Sequence, residues 1–368
     1  MKKYTRTCFC VLMSLTTLGL GAFGGGCAKK QLTITSPTGE VFPYIEKAKL
    51  YLEQAAGEGV YLYCGGFGSI ENPQAPVVVE WTCEAKDAVR YKVEYSLDAE
   101  YASALSLMVT GKTHAELYNL YKGAEYYLRV TAYSESGKVV SVGKNTFKTT
   151  DLGPRVMHID GIHNVRDLGG YITSSGKRTS QDLIFRGGTL TTADIYASNL
   201  TAAGAAYMRD VLGIKTDADL RGQAEAGNEK SPIPEAELRY FGLSGYSDML
   251  NESAKPLFQM LADKKNYPIY LHCTGGADRT GTAAFLINAL LGVDEGTLIQ
   301  DYEFTSFSIY GMRSVEFGDY AGMFQQFLTK LKGYEGENLQ QKTENFLLSI
   351  GVTAEEIASI KGIMYGEK

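Results

Sequence analysis

One cysteine in this chain is followed six residues later by an arginine, and it ends an apolar run. The stretch is PIYLHCTGGADRTGTAAF, residues 268–285. Gly275 and Gly276 permit backbone torsions that other residues resist, so the loop can curl with its N–H groups pointing inward. The helix that the sequence begins near Thr280 adds its positive end. Thr274, Gly275, Gly276 and Ala277 then form a cup for a dianionic phosphate. Arg279 supplies a planar fork matched to two phosphate oxygens. The same field favours the thiolate of Cys273, which at the floor of such a cup is an in-line nucleophile toward phosphorus. His272 is expected to face away and order the loop by hydrogen bonds. Thr280 is expected to donate its hydroxyl to the sulfur.

The flanking elements must hold that loop. YPIYLHC reads as a strand buried on both faces, and GTAAFLINALLG as a helix apolar nearly all round. IKTDADLRG and ELRYFGL read as two further strands. LTTADIYASNLTAAGAAYMRDVLG and SAKPLFQMLADKKN read as helices, and two or three more are expected around 295–307, 323–331 and 344–361. Strands alternating with helices imply an α/β domain over 155–368 with a mainly parallel sheet flanked by helices. In such sheets ligands sit beyond the carboxyl ends of the strands, where Cys273 lies.

The upstream half has another texture. APVVVEW, RYKVEYSL, AEYYLRVTAYS and KVVSVGKNTFKT are Val-, Tyr- and Thr-rich runs with period-two alternation. They resemble an all-β fibronectin type III-like sandwich over about 75–150, within an N-terminal region 28–150. Trp81 sits where that fold keeps its core Trp, and Leu120, Lys122-Gly123 and Tyr126 resemble its tyrosine corner. PYIEKAKLYLEQAAGEG reads as a helix and GVYLYCGG as a short strand. TTDLGPRV, residues 149–156, reads as the linker.

HCTGGADRTG resembles the HC-x5-R-[ST] signature of cysteine-dependent tyrosine phosphatases, in the bacterial branch that carries N-x-RDLGGY. Here that element is Asn164 to Tyr171. Phe185-Arg186-Gly187-Gly188, Asp219-Leu220-Arg221, and Asp301-Tyr302 with Thr305 follow as further markers in order. The resemblance spans about 155–365. It implies a phosphoric monoester hydrolase working through phosphocysteine, with Arg186 at the substrate and Asp278 as the acid for the leaving oxygen. Asp278 could instead cap the helix beneath the loop. Asp248, in SGYSDML, is the alternative acid. Asp219 either lines the pocket or pairs with Arg186 or Arg221. Arg166 and Asp167 are expected to pair with each other. Relatives that cleave phosphoinositides often have Lys where Ala277 stands, so phosphotyrosine or another monoester is the expected substrate. A phosphoinositide or inositol-phosphate phosphatase and a non-catalytic phosphate-recognising protein are the alternatives.

Composition bounds the rest. A length of 368 residues suggests two domains, and 44% hydrophobic with 21% charged residues fits a globular chain. A net charge of −6 gives no reason to expect a nucleic-acid partner. The four histidines offer no zinc spacing, and no cofactor or metal is expected. Residues 1–27 read as an export signal: basic MKKYTR, then a short apolar core, then GGGC. The ending resembles a lipoprotein signal that lipidates Cys27, which would anchor the mature chain to a membrane, at the periplasmic or outer face; plain cleavage without lipid is the alternative. Cys64 and Cys83 could pair after export or stay free. The expected partner is a phosphorylated protein or a small phosphomonoester.

Overall fold

The structure is a computed structural model that describes residues 31–65, 72–191 and 198–367. The export signal and Cys27 lie outside the described residues.

The first part of the chain forms two sheets. β1 (Leu32–Ser36), β3 (Val77–Cys83) and β6 (His114–Leu117) make an antiparallel sheet in the order β1-β3-β6. β2 (Gly39–Val41), β4 (Arg90–Ser96), β5 (Leu105–Thr110), β7 (Glu125–Tyr133) and β8 (Val139–Thr149) make the second, in the order β2-β8-β7-β4-β5. Alternation does the sorting. Val77, Val79 and Trp81 point inward while Val78, Glu80 and Thr82 face solvent. Both sheets contribute to one core, in which the Trp81 ring lies 5.1 Å from that of Tyr91. The Tyr126 hydroxyl accepts from the Tyr121 amide at 2.8 Å, which closes the corner before β7.

β9 (Arg155–Val156), β10 (Arg166–Asp167), β11 (Ile184–Gly187), β12 (Thr216–Asp219), β13 (Glu237–Tyr240) and β14 (Ile269–His272) form the third sheet, in the order β13-β12-β14-β11-β10-β9. The first four strands of that order run parallel, and β10 and β9 are antiparallel. Strands β11, β12 and β14 are four residues long and wholly buried, as a sheet covered on both faces requires. Ile184, Ile269 and Leu271 face one core and Phe185 and Tyr270 the other.

The helices, in chain order, are α1 (Glu46–Leu52), α2 (Val60–Tyr63), α3 (Ala202–Asp210), α4 (Gln223–Ala226), α5 (Lys255–Leu261), α6 (Arg279–Leu290), α7 (Glu295–Glu303), α8 (Asp319–Lys332), α9 (Leu339–Ser349) and α10 (Ala354–Met364). α6 is the hub: every residue from Thr280 to Leu290 is buried. α3 covers the opposite face through Met208.

Within the fold the structure departs from the sequence expectations at several places, and of the helix expected over residues 190–213 only Ala202–Asp210 is helical among the described residues. Val60–Tyr63 is a helical turn, not a strand; a four-residue apolar run carries no period, and left-handed Gly59 starts the turn. The single helix expected over 344–361 is two, broken at Gly351 (φ +84°) and restarted by a Thr353–Glu356 capping box. Arg166 and Asp167 do not pair with each other. Neighbours on a strand point to opposite faces, so Arg166 reaches Asp301 and Asp167 reaches Arg155.

α1 and α2 belong, by packing, with the α/β part. Tyr44, Ala48, Tyr51 and Val60 form a cluster with Val156, Phe304 and Phe307, and the Tyr51 hydroxyl donates to Glu303 at 2.5 Å. The joint between the sandwich and the α/β part centres on Arg155. Its guanidinium bonds Asp167 at 2.8 Å and Asp182 at 2.6 Å, and donates to the carbonyls of Leu120 and Asn119 across the joint. Tyr121 also bonds Asp182. Removing one partner of a buried pair strands the other charge. Arg155→Leu is therefore expected to destabilise the chain by about 3–5 kcal/mol in urea unfolding. An unchanged transition midpoint would show that this network does not hold the joint.

Candidate active site

Residues 273–278 run from the carboxyl end of β14 to the first turn of α6. What shapes this loop is the capture of its carbonyls. The Thr189 amide donates to the Thr274 oxygen at 3.0 Å, the Asn164 side chain to the Gly275 oxygen at 3.0 Å, and the Arg186 guanidinium to the Gly276 oxygen at 2.7 Å. Within a peptide plane the C=O of one residue and the N–H of the next point in opposite directions. Three carbonyls drawn outward therefore turn the amides of Gly275, Gly276 and Ala277 to the other side. Among the described residues none of these amides has an acceptor. They are three free donors in the loop that leads into the N-terminus of α6, an arrangement that suits an anion.

The glycines are needed for closeness as well as torsion. Gly276 sits at φ +63°, and a Cβ there would lie 2.2 Å from the Gly187 oxygen. A Cβ on Gly275 would come within 3.1 Å of the Tyr310 ring. Ala277 is buried, so no cation extends from that position.

Cys273 is 3% exposed at the floor of the loop. Arg186, Arg221 and Arg279 are all near enough to interact with a charge on its sulfur, and Arg279 is within hydrogen-bond reach of it. Arg279 is also gripped from outside. Both its terminal nitrogens donate to Glu225 of α4 at 2.7 Å, and one reaches the Thr274 hydroxyl at 3.4 Å. That bond to Arg279 holds the Glu225 carboxyl below its ordinary range.

His272 is buried beneath the loop. Its Nε2 lies 2.7 Å from an Asp217 oxygen and its Nδ1 lies 3.3 Å from the Cys273 carbonyl. Burial opposes the charged ring, but the Asp217 carboxylate and the bond to it outweigh burial, so the imidazole pKa is raised. Asp219 pairs with Arg221 at 2.7 Å rather than with Arg186. The Arg221 guanidinium also donates to the Thr189 hydroxyl, which ties this pair to the residue that anchors Thr274.

Two expected contacts are absent. Arg186 is fully buried under the loop, bonded to Asp301 at 2.7 Å and to the Gly276 oxygen; it braces the cup instead of facing substrate. Thr280 Oγ1 is buried without a hydrogen-bond partner among the described residues, the sulfur included, because its side chain packs within the buried wall of α6. Asp278 makes no helix cap. Its carboxylate takes Arg313 at 2.7 and 3.0 Å on its two oxygens and the Tyr246 hydroxyl at 2.5 Å. Asp248 is exposed on the short 3-10 turn Tyr246–Met249, and Gly245 before that turn packs on the backbone of Asp278 and Arg279.

Glu225, Arg313, Tyr246 and Asp217 are the neighbours that sequence reasoning did not single out. Each lies between 32 and 55 positions away from the loop residue it holds. For Glu225 a signal existed, since it follows the carboxyl end of β12 by six residues.

Residues 157–362 match the sequence model of the tyrosine phosphatase family. A Cupriavidus necator protein provisionally named a tyrosine-protein phosphatase is 27% identical over 183 residues, covering 41% of this chain and 63% of that protein. The chain thus spans somewhat under two thirds of that relative's length. Among solved structures, the core catalytic domain of the PP-IP phosphatase SIW14 from S. cerevisiae, in complex with citrate, is 18% identical, covers 46% of this chain and 93% of its own, and has a TM-score of 0.29.

Two outcomes follow from the loop geometry. Gly276→Ala is expected to weaken vanadate binding at least about tenfold, ~1.4 kcal/mol, because the Gly187 carbonyl leaves no room for the methyl; equilibrium dialysis at unchanged affinity contradicts it. The raised His272 pKa makes the His272–Asp217 pair fully stabilising below about pH 6.5, with the contribution lost as pH rises through the raised value. The stability difference between the parent chain and Asp217→Asn should therefore shrink from pH 5.5 to pH 9, and a constant difference contradicts the assignment.

Proposed function

The chain belongs to the tyrosine phosphatase family, and from that premise we propose that it hydrolyses phosphate monoesters, phosphotyrosine foremost, through a phosphocysteine intermediate. The observation that carries this reading is the set of amides at Gly275, Gly276 and Ala277 that have no acceptor among the described residues, in the loop that joins Cys273 to Arg279. A phosphate dianion entering the cup meets those amides, and Arg279 grips two of its oxygens. The sulfur then attacks phosphorus in line. A P–S bond forms as the bond from phosphorus to the ester oxygen breaks, and the leaving oxygen takes a proton. Water attacks the phosphocysteine in the second step, releasing phosphate and restoring the sulfur.

Asp278 is the proposed acid because it sits in the loop itself. In the resting chain Arg313 holds both of its oxygens, so its proton transfer requires that fork to loosen as substrate enters. Asp248 supports a second assignment: it is exposed on the adjoining turn, and its carboxylate has no hydrogen-bond partner among the described residues. Buried Ala277 supports monoesters over highly phosphorylated inositols, since it brings no extra cation to the rim.

We read the two-sheet unit as fibronectin type III-like, supported by the Tyr126 corner and the Trp81 core, and serving to space or dock the enzyme. Export and lipid anchoring at Cys27 are proposed on the residues of the signal alone.

Cys273→Ser is expected to abolish release of p-nitrophenol from p-nitrophenyl phosphate while vanadate still binds; full turnover in that variant rejects the mechanism. Asp278→Asn should lower kcat by about 10²–10⁴-fold, and more than Asp248→Asn does. The reverse ranking transfers the acid to Asp248. Phosphotyrosine peptides compared with phosphoserine peptides and inositol phosphates test the substrate class, with the first expected to turn over fastest.

A further inference from the structure

At the joint between the sandwich and the α/β part lies a cleft of about 380 Å³ whose lining includes Lys122, Asp151, Tyr171, Ser174, Asp294 and Gln300. Lys122 is the odd member. It sits in the turn before β7, and only 7% of its surface is exposed. Gln181 locks its backbone from both sides, accepting from its amide at 3.0 Å and donating to its carbonyl at 3.1 Å. Its ammonium lies 4.1 Å from the centre of the Tyr171 ring. Among the described residues it has no hydrogen-bond acceptor and no ion-pair partner.

The neighbouring carboxylates other than Asp294 are already paired with arginines. Asp151 is held by Arg178 on both oxygens, Asp167 by Arg155, and Asp301 by Arg166 and Arg186. Asp294, on the cleft wall, accepts from the amide and hydroxyl of Thr297. The Lys122 ammonium has the Tyr171 ring but no oxyanion partner, and a largely buried cation so placed favours an anion that reaches it. Burial accordingly pushes the Lys122 pKa down to about 7, with Arg178 lowering it further and Asp151, Asp301 and Asp167 only partly opposing. The cleft has the size of a small-molecule site and lies where such sites gather, between two structural units.

We propose that this cleft binds a small carboxylate- or phosphate-bearing ligand, whose oxyanion pairs with the Lys122 ammonium while its remainder lies along Ser174 and Gln300. Such a site is separate from the catalytic cup yet connected to it. The Tyr171 hydroxyl donates to Asp301 at 3.2 Å, Asp301 holds Arg186, and Arg186 holds the Gly276 carbonyl. Because only the charged lysine pairs with an anion, binding draws a proton onto Lys122.

The experiment is isothermal titration of the full chain carrying Arg279→Ala, which weakens anion capture at the cup, with malonate and separately with inorganic phosphate; binding that remains when Lys122→Met is added is assigned to the cup. Saturable binding of either is expected, and which of the two binds identifies a carboxylate or a phosphoryl source. Malonate affinity should be at least about tenfold weaker at pH 8.5 than at pH 6.5, following the charged fraction of Lys122. Adding Lys122→Met should remove the binding, with thermal melting confirming that the variant is folded; if it is not, the pH ratio in the parent background decides. Absence of binding by both probes, a pH ratio near one, or unchanged affinity in folded Lys122→Met overturns the proposal.

Discussion

The loop after β14 has its shape because its carbonyl oxygens are held from outside. Free peptide groups would satisfy their own N–H donors locally. Here Asn164, Arg186 and the Thr189 amide occupy the oxygens of three consecutive residues, and among the described residues the following amides have no acceptor, which leaves them for what enters the cup. The donors come from the β9–β10 connection, from β11 and from the segment after it. The sheet order that sets β11 beside β14 is thus a functional requirement and not only a packing result.

The brace itself rests on one carboxylate. Asp301 of α7 lies between two buried guanidiniums, Arg166 and Arg186, and also takes the Tyr171 hydroxyl. Burial would raise its pKa, but the two cations outweigh that and hold the carboxyl below its ordinary value. Arg186, fully buried and close to Arg166, is pushed down to about 10, with Asp301 opposing. Each charge is tolerable only because the others are present, which couples α7, β10, β11 and the catalytic loop into one unit.

The parts of this arrangement that were legible in the sequence are those governed by local rules. Gly275 and Gly276 announce a loop with unusual torsions, YPIYLH announces a strand buried on both faces, and the run after Arg279 announces an inner helix. The resemblance also pointed to Arg186 and Asp301, though not to their bond with each other. Arg313 and Tyr246 were not legible, because a polar side chain in a loop or a short turn has no period and its partner is set by tertiary approach; Glu225 carried only the signal of its place after β12. Thr280 and Arg186 misled for the same reason: a hydroxyl or a guanidinium can be placed near a site from sequence, but which side of a wall it faces depends on packing. The break at Gly351 and the turn at Val60–Tyr63 show the limit for short apolar runs, where a few residues fit strand and helix equally well. The Lys122 cleft lay beyond reach altogether, since it exists only where the two parts of the chain meet.

The account depends on amides that face an anion. A crystal structure of the chain with tungstate tests it most directly. The predicted result places the ion over the Cys273 sulfur, with its oxygens about 2.7–3.2 Å from the amides of Gly275, Gly276 and Ala277 and from the Arg279 guanidinium. Tungstate bound elsewhere, or a carbonyl of residues 274–276 turned toward the ion, would contradict it.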